Sequence, residues 1–301
     1  MALAPPRIAR AQAYLPVMST ETHDSPWHEG ERRAQSIVGS APGGAGVRTF
    51  MPDQHRDFFA QLPFLVTATL DEAGAPTATL LTGRPGFIQS SDPTTLAIAA
   101  VRDDPAGQRL IPGAPVGLLG LQPHTRRRNR ANGRVTAAGP DGLTVQVLQS
   151  FGNCPQYIHP REVRADRRAR TDALMLEGLD ALARRQIAAA DTFFVATASG
   201  ADIENGGVDV SHRGGSPGFV RVDGDVLTIP DYRGNRYFHT LGNLLLEPRC
   251  ALLFVDFARG EMLQLQGRAE VHWDEAALPD AERTWRFTAE RGWRGNAGVF
   301  T

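Results

Sequence analysis

Residues 211–257 read S-H-R-G-G-S-P-G-F-V-R-V-D-G-D-V-L-T-I-P-D-Y-R-G-N-R-Y-F-H-T-L-G-N-L-L-L-E-P-R-C-A-L-L-F-V-D-F. The stretch predicts a strand, a tight hairpin, a second strand, a basic glycine turn, a helix and a third strand. Gly218 to Val222 is an extended run. Asp223-Gly224 closes a two-residue hairpin with both central residues at positive φ. Val226 to Ile229 returns along it. Asp231-Tyr232-Arg233-Gly234-Asn235-Arg236 then turns into a helix that Pro248 ends. Two arginines, a glycine and an asparagine at a helix start form an anion site. First-turn N–H groups lack partners, the helix dipole is positive there, and a guanidinium fork fits a phosphate. A phosphate held this way at the rim of a small barrel suggests a nucleotide-like cofactor.

The same order of segments occurs earlier in the chain. Phe64 to Leu70, Pro85-Gly86-Phe87, Leu96 to Ala99, Pro115 to Leu121 and Asn132-Gly133-Arg134-Val135 form the first series. Phe193 to Ser199, Pro217-Gly218-Phe219, Leu227 to Pro230, Pro248 to Val255 and Gln266-Gly267-Arg268 to Val271 form the second. Each series follows an apolar helix, Gln54 to Leu62 and Leu182 to Ala190. A repeat of this length means duplicated domains, not a solenoid. The expected division is an arm over 1–48, a first lobe over 49–165 and a second lobe over 166–301. The copies differ where chemistry would sit. The second carries Arg233-Gly234-Asn235-Arg236; the first carries Asp103 to Arg109, whose Asp103-Asp104 pair is too acidic to hold phosphate well. One copy reads as a working lobe and the other as a supporting lobe.

Composition bounds the function. At 301 residues, 42% of them hydrophobic, the chain has material for two real cores. No segment approaches the ~18 apolar residues of a membrane span. A formal net charge of −1 removes bulk attraction to nucleic acid or anionic lipid. The cysteines, Cys154 and Cys250, give no disulfide framework, which points to a reducing cytoplasm. All 32 basic residues are arginine. Without lysine there is no G-K-[ST] phosphate loop, no Schiff base to pyridoxal phosphate and no lysine base. Arginine and backbone must hold any phosphate. Met1 to Tyr14 is Ala-, Arg- and Pro-rich without acids and reads as a weak targeting sequence, with Met18 an equal candidate start. Residues 19–48 read as a meandering arm and Gly43 to Gly46 as a linker. Thr171 to Ala190 reads as one or two helices, broken at Gly178, with Leu174, Leu179, Leu182 and Ile187 on the buried face.

Several motifs together resemble the FMN-binding split-barrel family, in particular its two-barrel bacterial branch related to pyridoxamine 5'-phosphate oxidase. They are Val208-Asp209-Val210-Ser211-His212-Arg213-Gly214-Gly215, Pro217-Gly218-Phe219, Pro230 to Arg236 and Thr240-Leu241-Gly242-Asn243 before Glu247-Pro248. Ser25 to Glu31, Arg126 to Arg130 with Asn132-Gly133-Arg134, and Ser150 to Ile158 look like the same branch. The resemblance covers most of residues 25 to 290. It implies a mostly β fold of two split barrels with flanking helices, and FMN as cofactor. Val210, Ser211, His212 and Arg213 correspond to the strand along the flavin ring. Pro230, Asp231, Tyr232, Arg233, Asn235 and Arg236 correspond to the phosphate-binding turn. Met262 falls where the oxidase has a cofactor-contacting glutamine, and the oxidase's substrate residues have no counterpart. The resemblance therefore implies flavin binding more than vitamin B6 chemistry.

The resulting expectation is an FMN-dependent oxidoreductase acting on a small molecule, as a cytoplasmic homodimer or a chain whose two lobes mimic one. A flavin- or haem-binding sensor or storage module is the alternative. Neither nucleic acid nor a membrane is an expected partner, and no residue spacing suggests a metal. No side chain is an evident acid or base, so the catalytic residues are unassigned. Trp273, Arg283 and Trp285 either cover the ring or hold an anionic substrate, or else pack the barrel end with Arg283 in a salt bridge. Arg126 to Arg130 is either a solvated turn or a contact to cofactor phosphate across an interface. Cys154 and His212 stand beside the expected site, each with a plain packing or hydrogen-bonding role as its competitor.

Overall fold

The computed structural model of the protein describes residues 25–44, 46–165, 172–200 and 203–301. The readings made for Met1 to Tyr14, Met18 and Thr171 lie outside the described residues.

Two antiparallel sheets of one topology make up the molecule. Helix α1 (Glu29–Ile37) lies in the arm, and α2 (Asp53–Ala60) leads into the first sheet. That sheet contains β1 (Phe64–Leu70), β2 (Pro76–Thr82), β3 (Ile88–Gln89), β4 (Thr95–Ile98), β5 (Pro115–Gln122), β6 (Arg127–Gly139) and β7 (Gly142–Gly152). Its strand order is β2-β1-β5-β6-β7-β4-β3. Short β8 (Arg164–Ala165) and β9 (Leu174–Glu177) follow, then α3 (Ala181–Ala189). The second sheet contains β10 (Thr192–Ala198), β11 (Val208–Gly214), β12 (Arg221–Asp223) and β13 (Val226–Asp231). After α4 (His239–Leu246) come β14 (Arg249–Asp256), β15 (Glu261–His272), β16 (Arg283–Asn296) and β17 (Val299–Phe300). The order here is β11-β10-β14-β15-β16-β13-β12, with β9 added to β16 and β17 paired with β8. Exchanging each strand for its counterpart converts one order into the other. The fold is thus mostly β, two split barrels with flanking helices, and the duplication read from the sequence holds strand by strand.

Local devices recur with the topology. Gly86 and Gly218 both sit at positive φ, 97° and 86°, conformations that cost glycine little. Both copies also carry a β-bulge before the shared Gly-Arg: pairing shifts between Asn132 and Gly133, and between Gln266 and Gly267. At each bulge the backbones come so close that a Cβ would meet a carbonyl oxygen at 1.9 Å, that of Gln146 or Thr288.

Three apolar clusters explain why β1 and β10 read as unbroken apolar runs. Leu65 and Leu81 point into the first barrel with Phe58, Phe59 and Leu118. Phe193 and Val195 point into the second with Leu227, Leu252 and Phe287. The alternate residues, Phe64 and Val66 from one sheet and Phe194 and Ala196 from the other, share a third cluster between the sheets. Period-2 alternation sends one face of each strand into its own barrel and the other into the seam.

Several local expectations shift. The extended run before the hairpin covers only Arg221–Asp223, because Gly218 turns the chain. Asp223 pairs with Val226, so the turn residues are Gly224 and Asp225. Only Gly224 has positive φ, 60°, as a turn with glycine first requires. Leu174–Glu177 is a strand on the edge of β16, not a helix. Leu174 and Leu182 are exposed, while Leu179 and Ile187 are buried as expected. Among the described residues no helix is long and apolar enough to cross a membrane.

Gly133→Ala and Gly267→Ala should each cost upwards of about 2 kcal/mol, because a backbone oxygen cannot swing away from the new methyl. Gly139→Ala, with nothing within 4 Å of its added Cβ, should be tolerated. Chemical denaturation midpoints measure all three.

Candidate functional site

A cleft opens at the seam between the barrels, and both barrels line it. The second contributes the end of β11, the Pro230 to Arg236 turn, the start of α4 and the start of β16; the first contributes β6 and the segment after β7. β11 is an edge strand, bonded in the sheet to β10 alone. Its outer side is therefore open to side chains of the first barrel and to a ligand.

The first barrel reaches across with two arginines. Arg130, buried, donates to Asp209 Oδ1 at 3.3 Å and to Ser211 Oγ. Asn132 donates to the same Asp209 oxygen at 2.6 Å. Burial alone would raise the Asp209 pKa, but the charges of His239 and Arg130 and the Asn132 bond outweigh it and hold the carboxyl below its ordinary range. Arg128 donates to His212 Nδ1 at 2.8 Å. Burial, reinforced by the Arg130 and Arg213 charges, pushes the Arg128 guanidinium down to about 10. No carboxylate pairs with Arg128 among the described residues. Burial, then Arg128 and Arg213, also lowers His212 well below the ordinary histidine value. A guanidinium only donates, so His212 Nδ1 is the acceptor and the ring carries its hydrogen on Nε2.

The second barrel supplies three more arginines around two carboxylates. Arg213 donates to Asp231 Oδ1 at 2.7 Å, and Arg283 to Asp231 Oδ2. Arg283 also reaches Glu282 at 3.2 Å, and Arg236 reaches the other Glu282 oxygen at 3.3 Å. The Arg283 guanidinium lies over the rings of Phe238 and Trp273, 5.2 and 5.7 Å from their centroids. At the rim Tyr157 from the first barrel stacks on Tyr232, with centroids 5.2 Å apart, and its hydroxyl donates to the Arg233 carbonyl at 3.1 Å. Helix α4 has no side-chain N-cap; Phe238 occupies that position in the left-handed conformation.

Of the residues singled out in the sequence, Ser211, His212, Arg213, Pro230, Asp231, Tyr232, Asn235, Arg236 and Arg283 line this cleft. Val210 does not; it is buried in the cluster between the sheets. Arg233 offers only its carbonyl, to Tyr157. Met262 packs in that same inter-sheet cluster. Trp285 is wholly buried in the second barrel core, and Trp273 packs behind Phe238. Arg283 and Trp285 lie at the start of β16. The helix starts at His239, so the arginine turn precedes it and the first-turn N–H groups belong to His239, Thr240 and Leu241. Arg128, Asn153, Cys154 and Tyr157 reach the cleft, while Arg126 and Arg127 are exposed at the start of β6. Sequence reasoning passed over Phe219, Phe238, His239 and Glu282, which also line it.

The family described as pyridoxamine 5'-phosphate oxidase matches residues 179–295. Among curated proteins none matches the chain. Among solved structures the chain is similar to HupZ of Group A Streptococcus, with 14% identity, 37% of this chain and 90% of that one covered and a TM-score of 0.30. It is also similar to a putative pyridoxamine 5'-phosphate oxidase of Lactobacillus delbrueckii, with 14% identity, 35% and 95% coverage and a TM-score of 0.29. An FAD and haem binding protein of Mycobacterium smegmatis matches over 83% of this chain and 73% of its own, at 10% identity and a TM-score of 0.18.

Burial lowers the pKa values of His28, His55 and His212 below the ordinary 6.5. In the folded protein these rings stay neutral at a pH where the unfolded chain protonates them. The unfolded state therefore binds more protons, and stability should fall as pH drops through about 6.5 and stay level above it. Urea denaturation across pH 8 to 5 reads this slope, and His212→Gln should reduce it.

Proposed function

We propose, with residues 179–295 matching the pyridoxamine 5'-phosphate oxidase family, that the chain binds FMN in the cleft between its barrels and uses it to oxidise or reduce a small molecule. The observation that carries this reading is the charge of the cleft. Five guanidiniums, Arg128, Arg130, Arg213, Arg236 and Arg283, meet three carboxylates, Asp209, Asp231 and Glu282. A phosphate monoester brings about two negative charges and makes up the difference. The Nε atoms of Arg128, Arg130, Arg213 and Arg283 and the Nε2 of His212 are buried without partners among the described residues. Such donors call for acceptors, and a flavin with its phosphate is rich in them.

In this reading Arg236, Asn235 and the uncapped start of α4 hold the phosphate. One compact anion site of this kind suits FMN; FAD would need a place for a pyrophosphate. The edge strand from Ser211 to Gly214 lies along the ring and offers backbone groups. His212, its Nε2–H fixed by Arg128, donates a hydrogen bond from that strand. Arg283 holds Asp231, and Asp231 holds Arg213, so these two act as positioning residues. Bound flavin supplies the electron and hydride chemistry, and the chain supplies orientation and exclusion of water. The division of labour follows: residues 166–301 hold the cofactor, 49–165 wall it in, and 1–48 form the arm. The assembly we propose is a cytoplasmic homodimer, although the cleft draws its walls from one chain.

A haem-binding or storage role is the competing reading. His212 argues against it as an iron ligand, because Nδ1 accepts from Arg128 and Nε2 carries the hydrogen. The absorption spectrum of the purified protein separates the two, a flavin spectrum supporting the proposal and a haem Soret band defeating it.

Pigment released by heat should co-chromatograph with FMN; FAD alone would exclude the phosphate assignment. Arg236→Ala should weaken FMN binding by about 1.5 kcal/mol, roughly tenfold, as expected for one charge-assisted hydrogen bond. Arg109→Ala removes only an exposed pair with Glu72 and should leave FMN affinity unchanged. Fluorescence titration of the apoprotein measures both.

A further inference from the structure

Behind the cleft floor lies a second polar cluster, which shares Asp209 with the charge balance of the cleft. Glu31, on α1, is 2% exposed. Its Oε2 accepts from the His28 backbone N–H at 3.0 Å, closing a capping box. Its Oε1 meets His239 Nδ1 in a hydrogen bond, while His28 Nε2 stands 3.6 Å away, too far for one. Asp209 on β11 brings another buried carboxylate. Ligand-capable atoms of Glu31, Asp209 and His239 all lie within 4.8 Å of one another. These residues come from three separate elements, α1, β11 and α4. Close packing fixes the approach: a Cβ on Gly30 would meet the Gly242 carbonyl oxygen at 2.3 Å, and one on Gly242 would meet Glu31 Cα at 2.7 Å.

Of its carboxylates, Asp209 pairs with Arg130, while no arginine pairs with Glu31 among the described residues. His28 Nδ1 accepts from the Gly30 N–H at 3.1 Å. The side-chain oxygen of Asn132, whose amide donates to Asp209, is buried without a donor among the described residues. A buried carboxylate without a guanidinium and an unmatched oxygen beside its neighbour are what a cation satisfies.

We propose that Glu31, Asp209 and His239 bind one divalent first-row metal ion. The mixed oxygen and imidazole donor set fits zinc or manganese. His239 would ligate through Nδ1, in place of its bond to Glu31, leaving its hydrogen on Nε2 at the ring edge away from the ion. That edge belongs to a residue lining the cleft. His28 is then an outer donor that orients Glu31. The ion ties the arm helix to the strand and helix that frame the cofactor cleft.

The test measures metal in the full-length protein, expressed with zinc and manganese supplements and then desalted. Elemental mass spectrometry should find about one equivalent of a single metal per chain; a chelator should remove it and lower the melting temperature, and that metal should restore both. Glu31→Gln and Asp209→Asn should each retain less than about a tenth of an equivalent. Wild-type protein below that level, with no rise in melting temperature on adding Zn2+ or Mn2+, would overturn the site. So would Glu31→Gln with wild-type content, since the ion would then sit elsewhere. If Glu31→Gln does not fold, wild-type stoichiometry, add-back and the His239→Gln variant decide by the same thresholds.

Discussion

The guanidinium of Arg130 crosses from one barrel to the other and is buried there, against Asp209, Ser211 and the face of Phe151. Desolvating two charges costs about as much as their attraction returns, so such a pair contributes little net stability. Its consequence is geometric. The apolar cluster between the sheets is non-directional and tolerates sliding; a buried guanidinium does not. Any slip of β6 against β11 would strand a charge in the seam, at a cost of several kcal/mol. The register of the two barrels is therefore fixed by Arg130, and with it the position of Ser211, to which Thr240 donates at 2.9 Å from the start of α4.

The equivalent seam on the other side of the molecule is held differently. There β15 faces β2 with Gln264 and Gln266, which donate to Thr77 Oγ1 at 3.3 Å and the Pro76 carbonyl at 3.0 Å. Neutral amides make the buried contacts, and the charged pair there, Arg291 with Asp71 at 2.8 Å, is one to one and half-exposed, leaving no surplus of positive charge. The anion position is filled as well. Asp104 Oδ1 accepts from the backbone N–H groups of Ala106 and Gly107 at 3.1 and 2.8 Å, and its Oδ2 accepts from Thr79 at 2.7 Å. A carboxylate of the chain sits where donors would otherwise be free for a ligand. The expectation that Asp103-Asp104 disfavours phosphate thus has a concrete form: one aspartate already occupies the donors.

Much of this architecture was legible because it is local and repeated. Pro-Gly-Phe marks a positive-φ turn, Gly-Arg marks a bulge, and the apolar runs of β1 and β10 mark strands buried on both faces. What the sequence could not give was anything set by distant partners. Gly224 and Asp225 replaced Asp223 and Gly224 in the turn because cross-strand pairing sets the register. Leu174 to Glu177 became a strand because β16 offered an edge, overriding a helical spacing. Val210 and Ser211 are neighbours, yet one faces the seam core and the other the polar network; alternation predicts the split but not which face is wet. His239 carried no signal of its own. Its partner Glu31 lies 208 positions away, and only the resemblance of Ser25 to Glu31 to a known branch hinted at a role for the arm.

Duplication within one chain explains why the two seams differ. In a symmetric pair of separate barrels every substitution appears at both interfaces, so an arginine placed for one site also burdens the other. Linking the copies removes that constraint. β6 carries arginines toward β11 while β15 keeps glutamines toward β2, and only the second barrel needs an open anion turn. The linkage also explains the place of α1. A symmetric dimer would present two such helices, one at each seam; here the single arm helix packs on α4, at the seam whose cleft is open. Asymmetry of the arm, of the arginines and of the anion turn all select the same side. Together they favour the proposed site on that side more strongly than any one residue does.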